Sequence, residues 1–216
     1  MEDRRTFLTG AAAFAAAVPV CGLGAGAAAD IFLPKADATG GKALMDLLAA
    51  RKSSRTFADR DIAPEKLSAL LWAAGGVNRP DGRRTAPTGR NVQDIDVYVM
   101  LRTGVYRYNA AEQKLTLVNA GDFRKEAGPQ DFCHTAPVNL FYVQNLDKAM
   151  KGDETSTARY GGIHTGAIMQ NVYLFCAQEG LSTVARGLID RAVLNGVLKL
   201  GARQSVILGQ TVGFAA

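Results

Sequence analysis

The residues best suited to chemistry fall in three places. The first is Arg51-Lys52-Ser53-Ser54-Arg55, which leaves the end of an amphipathic helical stretch. Two guanidiniums, an ammonium and two hydroxyls make a donor set that can grip an anion, and guanidinium meets phosphate with paired donors. The competing reading is a solvated basic helix end, which gains from the helix dipole. The second is Arg84-Thr85-Ala86-Pro87-Thr88-Gly89-Arg90-Asn91-Val92-Gln93, a donor-rich loop ahead of a strand. Asn and Gln amides donate to and accept from a heterocycle edge at once, and Gly89 lets backbone approach a ligand closely. The segment also reads as an ordinary polar connection. The third is Gln170-Asn171, inside an otherwise apolar helix. Buried amides need partners, and the favoured reading is that this pair holds a neighbouring loop rather than a ligand.

Other chemistries lack their parts. There is no Gly-x-Ser-x-Gly elbow, no cysteine–histidine motif and no Gly-x-x-x-x-Gly-Lys loop. His134 and His164 have no neighbouring ligand cluster, so no metal site is expected. The net charge of +5 is scattered, without the basic stripe or interleaved aromatics of a nucleic-acid binder. Their absence raises the weight of redox chemistry borrowed from a cofactor, and the residues alone lead no further than a domain with a candidate anion or heterocycle site.

Those residues must be positioned by the elements around them. Leu44, Leu47, Leu48 and Arg51 recur at helical spacing from Lys42 onward. A second helix starts at Pro64, which suits a first helical position, and stops at Gly75-Gly76. Ile95 to Leu101 alternates as a strand does, and Val105–Tyr108 with Lys114–Val118 reads as a hairpin joined around Asn109. Asp122 to Cys133 is helical in pattern. Val138 to Val143 is apolar apart from Asn139, fitting a central strand buried on both faces. Gly161 to Glu179 is the longest helix, apolar nearly all round and therefore interior. A short helix near Asp190–Lys199 and a strand at Gln204–Val212 follow. The order argues for an α+β fold rather than repeating βαβ units. Cys133 and Cys176 are the cysteines beyond residue 29; a buried free thiol is the favoured state of Cys176, with a Cys133–Cys176 disulfide the alternative.

The first 29 residues differ from the rest. Arg4-Arg5-Thr6-Phe7-Leu8 precedes an uncharged Ala/Gly-rich run that closes on Ala27-Ala28-Ala29 before Asp30. A basic pair, an apolar stretch and a small-residue end are the parts of an export signal of the twin-arginine kind. Residues 1–29 are thus expected to be a signal peptide cleaved near Ala29, with a membrane-anchoring helix as the alternative. Residues 30–41 follow as a flexible lead-in, and residues 42–216 form one domain, within the usual range of roughly 100–200 residues.

Seven segments in order resemble the nitroreductase-fold flavoproteins. They are Arg51-Lys52-Ser53-Ser54-Arg55-x-Phe57, Leu71-Trp72-Ala73-Ala74-Gly75-Gly76-x-Asn78-Arg79, Ala86-Pro87-Thr88-x-x-Asn91-x-Gln93, Gly104-Val105-Tyr106-Arg107-Tyr108, Ala136-Pro137-Val138, Gly166-Ala167-x-x-Gln170-Asn171-x-x-Leu174 and Gly180-Leu181. The match runs from about Leu44 to Gly213, and its Gly-Val-Tyr-Arg-Tyr hairpin resembles the branch of the azoline (thiazole and oxazole) dehydrogenases.

The resemblance implies a three-layer α+β fold, a central, mostly antiparallel sheet flanked by helices. It implies FMN bound at the two-fold interface of a homodimer. Arg51, with Lys52 beside it, would meet the phosphate, Ser53 the ribityl chain or ring edge, and Arg55 the pyrimidine N1–O2 region. Thr88, Asn91 and Gln93 would approach from the partner subunit, and Leu181 and Ser182 would lie beside the ring near N5. No catalytic side chain is implied: flavin N5 carries hydride in a ping-pong cycle, between an unidentified substrate and a donor that is either NAD(P)H or a periplasmic redox partner. A non-catalytic flavin-binding or scaffold protein of the same fold is the alternative. The twin-arginine machinery carries folded proteins, which suits a periplasmic protein loaded with a non-covalent cofactor. Many relatives hold the phosphate with a basic C-terminal segment, where this chain has Gly213-Phe214-Ala215-Ala216. Phosphate binding would rest on Arg51 and on Arg186 or Arg203.

Overall fold

The computed structural model describes residues 28–216. The expected signal peptide, apart from its last two residues, lies outside the described residues. Seven strands make one sheet: β1 (Ile31–Phe32), β2 (Ile95–Leu101), β3 (Gly104–Asn109), β4 (Lys114–Ala120), β5 (Val138–Asn145), β6 (Leu181–Arg186) and β7 (Gln204–Phe214). Their spatial order is β1-β4-β3-β2-β5-β7-β6, and every neighbouring pair is antiparallel. The helices are α1 (Leu44–Ala50), α2 (Pro64–Gly75), α3 (Phe132–Thr135), α4 (Glu154–Glu179) and α5 (Arg191–Val197).

The period-two alternation of the strands divides the core into two faces. Ile95, Val97, Val99 and Leu101 pack with Leu67, Leu70 and Leu71 of α2 and Ile168, Val172 and Cys176 of α4. Tyr98 and Met100 point the other way, to Leu194 and Leu198 beside α5 and to Ala127 and Cys133. Helices therefore cover both faces, giving the three layers expected. Side chains such as Leu70, Val99, Leu140 and Leu194 are wholly buried, each worth about 1.5–3 kcal/mol relative to exposure. Cys133 and Cys176 are both buried free thiols, and burial pushes the Cys176 thiol well above its ordinary pKa.

Several elements differ from the sequence expectations. The segment expected as a flexible lead-in opens with β1, where Ile31 and Phe32 pair with Leu115 and Lys114, and Asp30 Oδ1 accepts from Leu117 N (2.8 Å). Helix α4 begins at Glu154 rather than Gly161, because Asp153 caps it by accepting from Ser156 N (2.9 Å). It ends where Gly180 adopts a left-handed conformation, φ +67°. Nor is α4 interior all round, since Ile163 is 57% exposed. Helix α1 buries none of its residues, and Leu44 and Leu48 face outward. The stretch Asp122–Cys133 breaks into a 3-10 turn (Arg124–Ala127) and the short α3, because Gly128-Pro129 stands between them and the residue before proline is disfavoured in a helix.

Candidate functional site

The Arg51–Arg55 segment leaves α1 and lies along the outer side of β6, the last strand of the sheet. Arg51 N donates to Leu47 O at the helix end, Ser54 N donates to Thr183 O (2.9 Å), and Ala58 N donates to Phe214 O (3.0 Å). The organising side chain is Tyr173 of α4, which is nearly buried. Its hydroxyl accepts from Ala185 N (2.9 Å) and pairs with the Ser53 hydroxyl (2.8 Å), and its ring lies 5.3 Å from the Arg51 guanidinium carbon. Because Ala185 N–H occupies one lone pair, the Tyr173 O–H is free to donate to Ser53. Leu181 and Ser182 open the same strand and are buried beside this segment. Arg51, Lys52, Ser53, Arg55, Leu181 and Ser182 are therefore brought together at one sheet edge.

The second group, Thr88, Asn91 and Gln93, sits elsewhere on the same chain. A small excursion from the end of α2 delivers it: Val77 bridges Arg84, Thr85 N donates to Gly76 O (3.0 Å), and the Thr85 hydroxyl donates to carbonyls of Trp72 and Ala73. Asn171 of α4 also donates to Ala73 O (3.0 Å), so this amide ties α4 to the last turn of helix α2 rather than to a loop as expected. The loop is then coiled tightly, with Arg90, Asn91 and Gln93 all at left-handed φ near +50°. Each such residue costs of order 1 kcal/mol outside glycine, so the shape must be fixed by other bonds. Gln93 N donates to the Thr88 hydroxyl (3.1 Å), and Gln93 Nε2 donates to Gly82 O (3.0 Å) and Asn91 Oδ1 (3.2 Å). Gly89 N donates to His164 Nε2 (2.8 Å), whose Nδ1 lies 2.6 Å from Asp94 Oδ1. Among the described residues, Asn91 Nδ2 and Gln93 Oε1 take no part in these bonds and are available to a heterocycle edge.

The two groups are held by one helix but not at one place. Tyr173 and His164 lie nine residues apart on α4, an axial rise of roughly 13 Å. A single chain does not close a pocket around both.

Two of the proposed phosphate ligands are elsewhere. Arg186 is 3% exposed, and its guanidinium donates to Thr211 Oγ1 (2.9 Å), Ala127 O (3.0 Å) and Asn139 Oδ1 (3.1 Å). Burial holds its pKa below the ordinary arginine value, and it braces the inside of the sheet. Arg203 pairs with Asp147 (2.5 Å) at the start of β7, roughly 30 Å along that strand from Val212, the partner of Thr183. Neither reaches the Arg51 segment. By contrast, Arg51, Lys52 and Arg55 have no carboxylate within ion-pair distance among the described residues. Unpaired cations with a hydroxyl beside them fit a phosphate, and unengaged amide atoms fit a flavin edge.

Sequence reasoning missed Tyr173 and His164. Tyr173 is hidden in the apolar run Val172-Tyr173-Leu174-Phe175, and His164 has its acid partner seventy positions away at Asp94. The usable signal was the phenol and imidazole themselves, polar groups on a helix read as interior, each needing a partner.

The model of the nitroreductase family matches residues 48–214. A candidate nitroreductase of Methanocaldococcus jannaschii is 28% identical over 167 residues, covering 73% of this chain and 84% of that protein. The crystal structure of a candidate nitroreductase from Ralstonia eutropha is 40% identical, with a TM-score of 0.83 over 88% of this chain and 91% of that one. A chain of the Escherichia coli microcin synthetase McbBCD complex shares the fold, with a TM-score of 0.67 at 20% identity over 98% of this chain and 85% of that one.

Proposed function

Since this chain belongs to the nitroreductase family of flavin oxidoreductases, we propose that it is an exported, homodimeric, FMN-dependent enzyme. The observation that carries the reading is the Arg51–Arg55 segment, its cations without carboxylate partners among the described residues, stapled to the β6 edge beside Leu181 and Ser182. Arg51 and Lys52 would hold the phosphate, and Arg55 would lie where a cation stabilises the reduced ring. When bound, FMN supplies an N5 that exchanges hydride with donor and substrate in alternating half-reactions. The chain itself supplies position: Tyr173 holds Ser53 and Arg51 in place, and Ser182 and Leu181 form the wall behind them.

Homodimerisation completes the site in this reading. Thr88, Asn91 and Gln93 stand too far along α4 to reach the phosphate grip of their own chain, which supports their acting on the partner's flavin. Leu44, Met45 and Leu48 on α1 and Ile163 on α4 are exposed apolar side chains next to these segments, as a buried subunit interface would require. The twin-arginine signal and periplasmic location rest on the first 29 residues. The Gly104-Val105-Tyr106-Arg107-Tyr108 hairpin, which forms β3, keeps the azoline dehydrogenase branch as the nearest functional model.

The test is the visible spectrum of the purified chain with and without FMN, read through gel filtration. Flavin bands travelling in a dimer-sized fraction, bleached by a donor faster than free FMN, support the reading. A colourless monomer that FMN cannot restore refutes it. Bound flavin that no donor reduces faster than free FMN assigns the chain to the non-catalytic alternative.

A further inference from the structure

The His164 contact belongs to a longer chain of hydrogen bonds. Gln144 Nε2, at the end of β5, donates to Thr157 O (3.0 Å) and to Asp94 Oδ2 (3.0 Å). Asp94 Oδ1 meets His164 Nδ1, and His164 Nε2 accepts from Gly89 N. Asp94, Gln144 and His164 are each no more than 2% exposed. Gly161 makes room for the chain, since a Cβ there would collide with the Gln144 amide.

The direction of every bond is determined. Thr157 offers a carbonyl, so Gln144 must turn its NH2 toward both Thr157 and Asp94. Gly89 offers an N–H, so His164 Nε2 must be bare and its proton must sit on Nδ1. Between two donors, Asp94 accepts on both oxygens, the role a carboxylate fills. This resembles a His–Asp pair, but the free imidazole nitrogen faces a backbone amide rather than open space. Its output is the position of Gly89, the residue before the left-handed Arg90-Asn91 turn.

We propose that His164, locked as the Nδ1–H tautomer by Asp94 and Gln144, is the positioning residue that shapes the Thr88–Gln93 loop for flavin. This rests on the reading of that loop as flavin-facing. His164 is not a catalytic residue; it acts through Gly89.

Asp94→Asn is the discriminating variant because it keeps shape and volume. If the Asn NH2 faces His164, the imidazole proton moves to Nε2 and meets Gly89 N–H. If it faces Gln144, that amide must flip and set its oxygen against Thr157 O. One clash is unavoidable in either orientation. His164→Gln keeps an acceptor for Gly89, whereas His164→Leu removes it.

The experiment combines nitrogen-15 imidazole NMR, exchange of the Gly89 amide, and FMN titration on full-length protein. The chain has only two histidines, so His134→Asn identifies the His164 signals. The expected results are an Nδ1–H tautomer in the wild type and an Nε2–H tautomer or faster Gly89 exchange in Asp94→Asn. The FMN dissociation constant should rise about tenfold in His164→Leu and Asp94→Asn, as loss of a buried hydrogen bond implies. In His164→Gln it should rise by no more than about threefold. An Nε2–H tautomer in the wild type, or Gly89 exchange unchanged in His164→Leu, overturns the relay whatever FMN does. Equal FMN binding by wild type, His164→Leu and Asp94→Asn overturns the positioning role. Wild-type protein that takes up no FMN overturns the flavin reading itself, which the NMR result is independent of.

Discussion

Replacing Tyr173 with Phe removes one oxygen atom and two hydrogen bonds, and the consequences separate into stability and binding. The hydroxyl accepts from Ala185 N (2.9 Å) and pairs with Ser53 Oγ (2.8 Å). Ala185 is half-buried in the edge strand, so its N–H, left without an acceptor, costs about 1–2 kcal/mol. Ser53 is exposed and turns to water, so its share is about 0.5 kcal/mol. Together they give about 2 kcal/mol, which lowers Tm by roughly 4–8 °C in a domain of this size. Ser53→Ala removes only the smaller share and should lower Tm by no more than about 2 °C. Binding should respond to both variants, because each frees Ser53 from the helix and lets the segment around Arg51 sample other shapes; about three- to tenfold weaker FMN affinity is expected. Thermal unfolding by circular dichroism of apo protein reads the first effect, and flavin fluorescence titration the second. If Tyr173→Phe melts within about 1 °C of wild type and binds FMN as well, the phenol is not the staple described here.

Three further outcomes test other parts of the structure. Gly161→Ala and Gly162→Ala should have opposite signs in urea unfolding: the first drives a methyl into Gln144 and costs about 1–3 kcal/mol, while the second meets open space on α4 and gains about 0.5–1 kcal/mol. Arg186→Met strands the acceptors Thr211, Ala127 and Asn139 inside the sheet and should cost about 3 kcal/mol by denaturant titration. Asp122 is a pH probe. Partial burial raises its pKa, but the hydrogen bonds and charge of Arg124 outweigh that and hold it below the ordinary carboxylate value. A depressed folded pKa stabilises above the unfolded value and is lost as pH falls through the folded one. The stability difference between wild type and Asp122→Asn should therefore shrink from about pH 5 downward, and because the side chain is 42% exposed it should stay below about 1 kcal/mol.

The strands were legible because their information is local. Ile95–Leu101 carries its own alternation, and Val138–Val143 is apolar apart from Asn139, so both appear where the pattern puts them. The first turns of α4, Glu154–Tyr160, are polar and carry no apolar periodicity, so its start was set by the Asp153 cap rather than by a legible pattern, while Gly161 admits Gln144 from a strand. Helix α1 appears where its spacing puts it, but the single chain buries none of its residues. Within the candidate site, the composition of Arg51–Arg55 marked it as a donor-rich segment, and the structure places it along the β6 edge. The Thr157–Gln144–Asp94–His164–Gly89 chain could not be announced, because its members come from α4, β5, the residue before β2 and the Gly89 turn, and only folding gives them an order. Arg186 was nominated for its charge, and the sheet uses that charge internally.

The position of the Arg51–Ser54 segment has one more consequence. An outermost strand presents a row of unpaired N–H and C=O groups, a template on which another chain can assemble. On β6, Thr183 O is taken by Ser54 and Ala185 N by Tyr173. The segment that offers cations to a phosphate is thus also the selvage of the sheet, the finished border that stops it from fraying into a neighbour. Under the proposed function, protection of the sheet edge and cofactor retention would be two properties of the same few residues, and a substitution that loosens one would loosen the other.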